Sequence, residues 1–174
     1  MNKGNPRDEY EIRLAGLYEE YYDKIARYAY VRIGNREEAE DIAGEVFLKA
    51  LKALDSYRDR GVPMQVWLFR IAHNLAVDHL RKMAKRTTAP IESVELLGND
   101  DPADTSEKSL EFERVAEAMK QLTVEQREVI SLRFFGGLTA KEVGDTLGKA
   151  DGAVREMQRA AIEKLRAIMG VQRS

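Results

Sequence analysis

A chain of 174 residues suits one ordinary domain or two small ones. Hydrophobic residues at 44% and charged residues at 33%, with no apolar run near the roughly 18 residues of a membrane span, indicate a core and argue against direct membrane insertion. The absence of cysteine excludes disulfides, thiolate zinc sites and cysteine nucleophiles. Two histidines, His73 and His79, miss the i, i+4 spacing of a helical metal pair, and no nucleophile and base stand together, so neither an enzyme nor a metal or cofactor site is expected.

The formal net charge of −2 conceals an uneven distribution. Residues 1–86 hold 16 Lys/Arg against 14 Asp/Glu, and residues 108–174 hold 12 against 10. Residues 87–107 hold no Lys or Arg and six acids: Glu92, Glu95, Asp100, Asp101, Asp104 and Glu107. That segment also carries Pro90, Gly98, Asn99 and Pro102 and shows no sustained period, so it reads as an acidic linker between two modules.

In the first module, Leu14, Tyr18, Tyr21, Ile25 and Tyr28 recur at spacings of three and four, the signature of one helix face. Gly34-Asn35 ends that helix, and Asn35 with Glu38 resembles a capping box for the next. There Ala39, Ile42, Ala43, Val46, Phe47, Ala50 and Leu54 form the buried stripe. After an irregular stretch from Ser56 to Pro63, a third helix turns Met64, Trp67, Leu68, Ile71 and Leu75 inward and runs to about Lys85. The second module opens near Ser106 with Leu110, Val115, Met119 and Leu122 as its apolar positions. Thr123 with Gln126 and Thr139 with Glu142 supply two capping boxes, Gly136-Gly137 separates their helices, and Asp151 is placed to cap a last helix. No stretch alternates as a strand does, so the chain is expected to be all-α: two small helical domains, 1–86 and 108–174, joined by the 87–107 linker.

Thr139 to Leu165 has the make-up of a helix-turn-helix. Gly148 supplies a turn residue, Val143 and Leu147 are spaced to pack against Val154 and Met157, and Gly144 is small where the helices are expected to cross. The outward face carries Arg155, Glu156, Gln158 and Arg159, residue types suited to base edges, while Arg127, Arg133 and Lys141 are candidates for phosphates. The same pattern also describes two helices joined by a glycine turn with an ordinary charged surface, and Lys149 stands where such units usually bury an aliphatic side chain. In the first module, Tyr57, Arg58 and Arg60 precede Trp67, and Arg81, Lys82, Lys85 and Arg86 close the third helix. Rings and cations so mixed can grip single-stranded nucleic acid. Trp67 also reads as a core residue, and a basic helix end complements the dipole without any ligand. Asp41, Glu45, Leu48 and Lys49 share a face of the second helix, which suits protein docking as well as it suits solvent.

Taken together, EEAEDIAGEVFLKAL (37–51), VWLFRIAHNLAVDHLRK (66–82) and the run from Leu122 to Arg166 resemble regions 2.2, 2.3–2.4 and 4 of a bacterial extracytoplasmic-function (ECF) sigma factor, the sigma-70 type that keeps regions 2 and 4 only. The resemblance implies a cytoplasmic protein that binds core RNA polymerase through its β′ clamp helices and β subunit, recognises promoter DNA, and answers to an anti-sigma factor. It places Asp41, Ile42, Glu45 and Leu48 at the clamp helices. Tyr57, Arg58, Arg60, Trp67, Arg70, Asn74, Asp78, Arg81 and Lys82 fall at the −10 element, where the loop from Asp55 to Met64 would capture a flipped base. Arg155, Glu156 and Arg159 fall on the −35-reading helix, which makes Gln158 beside them, and the phosphate candidates Arg127, Arg133 and Lys141, expected contacts of the −35 element. Departures from the family pattern are Gly44, Met64 and Glu156-Met157, the last leaving the −35 sequence open. The linker reaches at most about 70 Å fully extended but averages about 25 Å as a relaxed coil; its acids favour extension. The alternative is a sigma mimic that binds an anti-sigma factor without reading DNA.

Overall fold

The computed structural model describes residues 4–87 and 107–170 as helices joined by turns and short irregular segments, with no strand among the described residues. The acidic linker falls, between residues 88 and 106, outside the described residues. The described residues form seven α-helices: α1 Pro6–Ile33, α2 Arg36–Lys52, α3 Met64–Thr87, α4 Glu107–Met119, α5 Val124–Phe134, α6 Ala140–Leu147 and α7 Asp151–Met169.

The helix ends lie where the local chemistry puts them. Asn5 accepts from the Arg7 amide with Pro6 in the first turn, and Gly34 closes α1 at a φ of 76°, a conformation without penalty only for glycine. Asn35 caps α2 by accepting from the Glu38 amide at 3.0 Å. Thr123 with Gln126 and Thr139 with Glu142 form complete capping boxes at α5 and α6. Two expectations differ. Leu54 lies beyond α2 in a 3-10 turn, Leu54–Ser56, although it stays buried. Asp151 is the first residue of α7 rather than its cap: Ala150 takes the capping position without a side-chain bond, and the Asp151 carboxylate accepts from the Gly152 amide.

α1, α2 and α3 enclose a core built on Ile25, Tyr28, Val46, Leu68 and Phe69. Tyr18, expected on the buried stripe, is instead 47% exposed and lies against Phe47 from outside. In the second module, α5, α6 and α7 pack around Val129, Leu132, Val143 and Val154, while Leu110 is exposed. The two sets are continuous. Val129, Leu132 and Leu138 join the core that holds Tyr28 and Phe69, and Val31 from α1 joins Met119, Leu122, Ile130 and Ala161.

Candidate nucleic-acid interface

The helix-turn-helix is built on backbone proximity at its turn. Gly148 takes a φ of 70°, and the Lys149 amide donates to the Gly144 carbonyl at 2.8 Å. Glycine is required at 144, because a Cβ there would collide with the Lys149 carbonyl; the close neighbour is the turn itself, not the crossing helix. Lys149 is accommodated by reaching out to Glu125, Nζ to Oε1 3.0 Å.

On α7, Arg155, Glu156 and Arg159 are exposed on one face. Each arginine is held by carboxylates of its own helix: Arg155 by Asp151 at 3.3 Å, Arg159 by Glu156 at 2.6 Å and by Glu163 at 3.0 Å. The Arg159 hydrogen bonds keep the Glu156 carboxyl below its ordinary range. Lys141 is exposed at the start of α6. Two other cations serve the fold. Arg127 is buried and donates to the carbonyls of Met119, Lys120 and Leu122, closing the end of α4. Arg133 donates to the Leu138 carbonyl at 2.7 Å and to Gln158 Oε1 at 2.8 Å, which commits the oxygen of that amide. The Arg127 side chain is buried in this arrangement, and Arg133 is half-buried.

In the first module, Trp67, Asn74, Asp78 and Arg81 of α3 line an open groove of about 670 Å³, with Lys49 and Ala53 as its far wall. Lys82 pairs with Asp78 at its rim. The adjoining loop is pinned to the start of α1: Arg7 reaches Asp55 at 2.5 Å and Arg13 reaches Asp59 at 3.3 Å. Asp59 also accepts from the Gly61 amide, and that bond, with Arg13, holds its carboxyl below the usual range. Tyr57 is buried, edge-on to Tyr10 at 4.9 Å and tilted against Trp67 at 4.8 Å. Its ring therefore joins α1, the loop and α3 rather than standing free. Arg58 folds back onto the carbonyls of Asp55 and Tyr57, while Arg60 is exposed. Trp67 is half-buried, so one ring both packs on the core and lines the groove.

The outer face of α2 exposes Asp41, Glu45 and Leu48, the last 59% exposed, and buries Ile42 in the core beneath them. The structure adds to this surface Leu51, which the sequence pattern did not single out, and Tyr18, which that pattern places on the buried face of α1. Leu51 is exposed one turn after Leu48, and Tyr18 stands beside Phe47. An i, i+3 pair of exposed leucines on an acidic helix was the available signal.

A polar cluster between the modules carried no sequence signal. Arg32 of α1 and Glu128 of α5, each 3% exposed, form an ion pair. Tyr28 donates to Glu128 Oε2 at 2.8 Å, and His73 Nδ1 lies 3.3 Å from Oε1. Burial works against ionisation of Glu128, but the Arg32 charge and the bonds from His73 and Tyr28 outweigh it and hold the carboxyl below its ordinary value. Further out, Tyr30 and Arg36 both bond Glu113, at 3.1 Å each, and burial followed by the Glu113 charge pushes the Tyr30 hydroxyl up to about 12. Arg70 donates from Nε to Thr146 Oγ1 of α6 at 3.1 Å, so it turns to the second module and not to the groove.

The chain matches the family models described as Sigma-70 region 2, over residues 17–87, and Sigma-70, region 4, over residues 118–167. It is 32% identical over 157 residues to the ECF RNA polymerase sigma factor BldN of Streptomyces coelicolor, covering 88% of this chain and 59% of BldN. It is 32% identical over 148 residues to SigD of Mycobacterium tuberculosis, covering 82% of this chain and 70% of SigD. It is 37% identical over 140 residues to ShbA of Streptomyces griseus, covering 76% and 72%. Among solved structures it is similar to CnrH in complex with the cytosolic domain of CnrY, at 25% identity with a TM-score of 0.66 over 98% of this chain and 92% of that one. The fold is also that of RpoE bound to the anti-sigma factor NepR from Bartonella quintana, with a TM-score of 0.71 at 21% identity, covering 91% of this chain and 98% of that one.

Proposed function

Since the chain belongs to the sigma-70 family and, within it, to the family of the ECF RNA polymerase sigma factors, we propose that it directs initiation in the bacterial cytoplasm by docking α2 on core polymerase and spanning a promoter with α3 and α7. The observation that carries this reading is the separation of three exposed surfaces of different chemistry: acidic and apolar on α2, ringed and mixed in charge on α3, arginine-bearing on α7. Asp41, Glu45, Leu48 and Leu51 suit a basic, partly apolar helical partner such as the β′ clamp helices, with Ile42 setting the helix in place.

The groove along Trp67, Asn74, Asp78 and Arg81 suits the −10 strand, and the loop anchored by Tyr57 and Asp59 suits an extruded base. Flipping a base costs a few kcal/mol of stacking, so a loop fixed in advance keeps more of its binding energy for holding the strands open. Arg155 suits a guanine edge and Glu156 suits a cytosine amine, while Lys141, exposed at the start of α6, suits a phosphate. Each module carries only a small basic excess, so grip on DNA by the chain alone is weak and falls steeply with salt; polymerase supplies the rest. The solved relatives CnrH and RpoE are held in complexes with CnrY and with the anti-sigma factor NepR, which supports regulation of this chain by an anti-sigma factor.

Run-off transcription with purified core polymerase and a promoter library tests the proposal. Promoter-dependent RNA is the expected result. Core binding without such RNA would favour a mimic that only titrates an anti-sigma factor.

A further inference from the structure

The first turns of α1, ahead of its first buried residue, Leu14, are started by Asn5, which accepts from the Arg7 amide at 3.2 Å with Pro6 behind it. Along those turns Arg7, Tyr10 and Arg13 stand three residues apart and so share one stripe. All three meet the loop from Asp55 to Met64. Arg7 Nη1 reaches Asp55 at 2.5 Å, Arg13 Nη1 reaches Asp59 at 3.3 Å, and the Tyr10 ring stands edge-on to Tyr57 at 4.9 Å. The Arg13 guanidinium also lies over the Tyr10 ring, 5.7 Å from its centre, which ties the stripe together.

The loop has little backbone pairing of its own. Among the described residues no backbone-to-backbone hydrogen bond involves residues 58–62. Side chains hold it instead: the Asp59 carboxylate accepts from the Gly61 amide through Oδ1 at 3.0 Å and from Arg13 through Oδ2. Exposed ion pairs add little to the stability of a whole fold. They can still choose among the conformations of a short loop, whose alternatives differ by as little. Tyr57 passes that choice on, since it packs against Tyr10 and against Trp67, and Trp67 lines the groove. Arg7, Tyr10 and Arg13 are not among the residues that line the groove, so they reach a strand there only through the loop. They also precede residue 17, where the match to Sigma-70 region 2 begins, so the pattern shared with that region does not include them.

We propose that Arg7 and Arg13, with Tyr10 packed between them, are positioning residues: the first turns of α1 hold the loop in the shape that receives the extruded base, and thereby set how strictly one position of the −10 element is read. The proposal rests on the −10 reading of that loop. A loop fixed in advance accepts the base that fits it, whereas a loop released from α1 adapts to several, as flexible binding surfaces do. Its affinity for the fitting base is also reduced to the fraction of time it spends in the receiving shape. Release therefore lowers the RNA obtained with the preferred base and narrows its margin over the other bases, at one position.

The chain's single tryptophan reports the loop directly, because the Tyr57 ring lies 4.8 Å from that of Trp67. In the full-length protein, Arg7→Ala with Arg13→Ala should raise acrylamide quenching of Trp67 fluorescence. Arg7→Lys with Arg13→Lys should keep it near native, since each pair to the loop is made by one nitrogen. Run-off transcription with core polymerase and a library randomised across both promoter elements then reads the function. In the alanine variant the margin of the preferred base should fall about threefold or more at one −10 position. Every −35 preference and the core polymerase concentration for half-maximal RNA should stay as they are, and the lysine variant should keep the native profile. Unchanged quenching in the alanine variant overturns the positioning role, and so does raised quenching with an unchanged profile or with losses spread over both elements. A lysine variant no better than the alanine one overturns the ion pairs as its means. Absence of promoter-dependent RNA from the native chain overturns the −10 reading instead, while the quenching still decides whether α1 holds the loop.

Discussion

Gly144 and Lys149 meet backbone to backbone at the turn of the helix-turn-helix, the Lys149 amide bonding the Gly144 carbonyl and the Lys149 carbonyl filling the space where a Gly144 side chain would begin. The obstacle is backbone, so it cannot rotate aside as a side chain would. Gly144→Ala is expected to destabilise the second module by about 1–3 kcal/mol, the usual range for overpacking. Urea unfolding should show the loss, and binding to a −35 duplex should fall with it because the angle of α7 is set at this turn.

Arg127 divides a structural role from an electrostatic one. If its three carbonyl contacts define its function, Arg127→Ala costs about 2–4 kcal/mol of stability by leaving buried acceptors without donors. The salt dependence of DNA binding by the folded fraction should not change. Loss of a phosphate contact would instead lower the salt slope by about one. Arg127→Lys should rescue poorly, since one ammonium cannot reproduce the fork that reaches Met119, Lys120 and Leu122 together.

Asp41→Lys with Glu45→Lys reverses the charge of an exposed face while leaving the core under it, including Ile42, in place. The double variant is expected to weaken binding to core polymerase and to leave binding to an isolated −35 duplex unchanged. A pull-down with core polymerase beside a duplex titration reads both quantities. Leu48→Ala should act in the same direction without changing charge.

Among the described residues Arg155 is tied to Asp151 alone, through an exposed pair that is easily exchanged for a base edge. Arg155→Ala should cost about 1–3 kcal/mol in −35 recognition and relax selectivity at a single base position. Promoter profiles measured by run-off transcription report it, and an unchanged profile would place Arg155 on a solvated face.

Glu128 gives the folded chain a dependence on acid. Its carboxyl is lowered by Arg32, His73 and Tyr28 against the effect of burial, with the buried Arg127 guanidinium as a further neighbour on α5. A lowered carboxyl contributes stability that is complete above the ordinary glutamate value, about 4.3. That contribution is lost as pH falls through the lower folded value. Unfolding midpoints of the native chain should therefore fall below about pH 4 more steeply than those of Glu128→Gln. Identical pH profiles would show that the pair adds nothing to stability.

The helices, their caps and the outward faces of α2 and α7 were legible in the sequence, because they depend on residues within a few positions of one another. Asn35, Thr123 and Thr139 each cap the helix that begins beside them, Gly34 and Gly148 each end the helix before them, and the apolar spacing selects the inner faces. The fate of individual charges was not legible. An arginine in the last turn of α1 and a glutamate in the middle of α5 have the same local pattern whether they meet water or each other. Arg32 and Glu128 are buried only because a helix from 96 positions away closes over α1. Arg127 and Arg133, which look like phosphate contacts on a basic module, serve carbonyls and an amide that the chain brings to them. Periodicity determines which side of a helix is apolar; the tertiary structure decides which polar groups are covered, because desolvation depends on whatever packs above them from elsewhere in the chain.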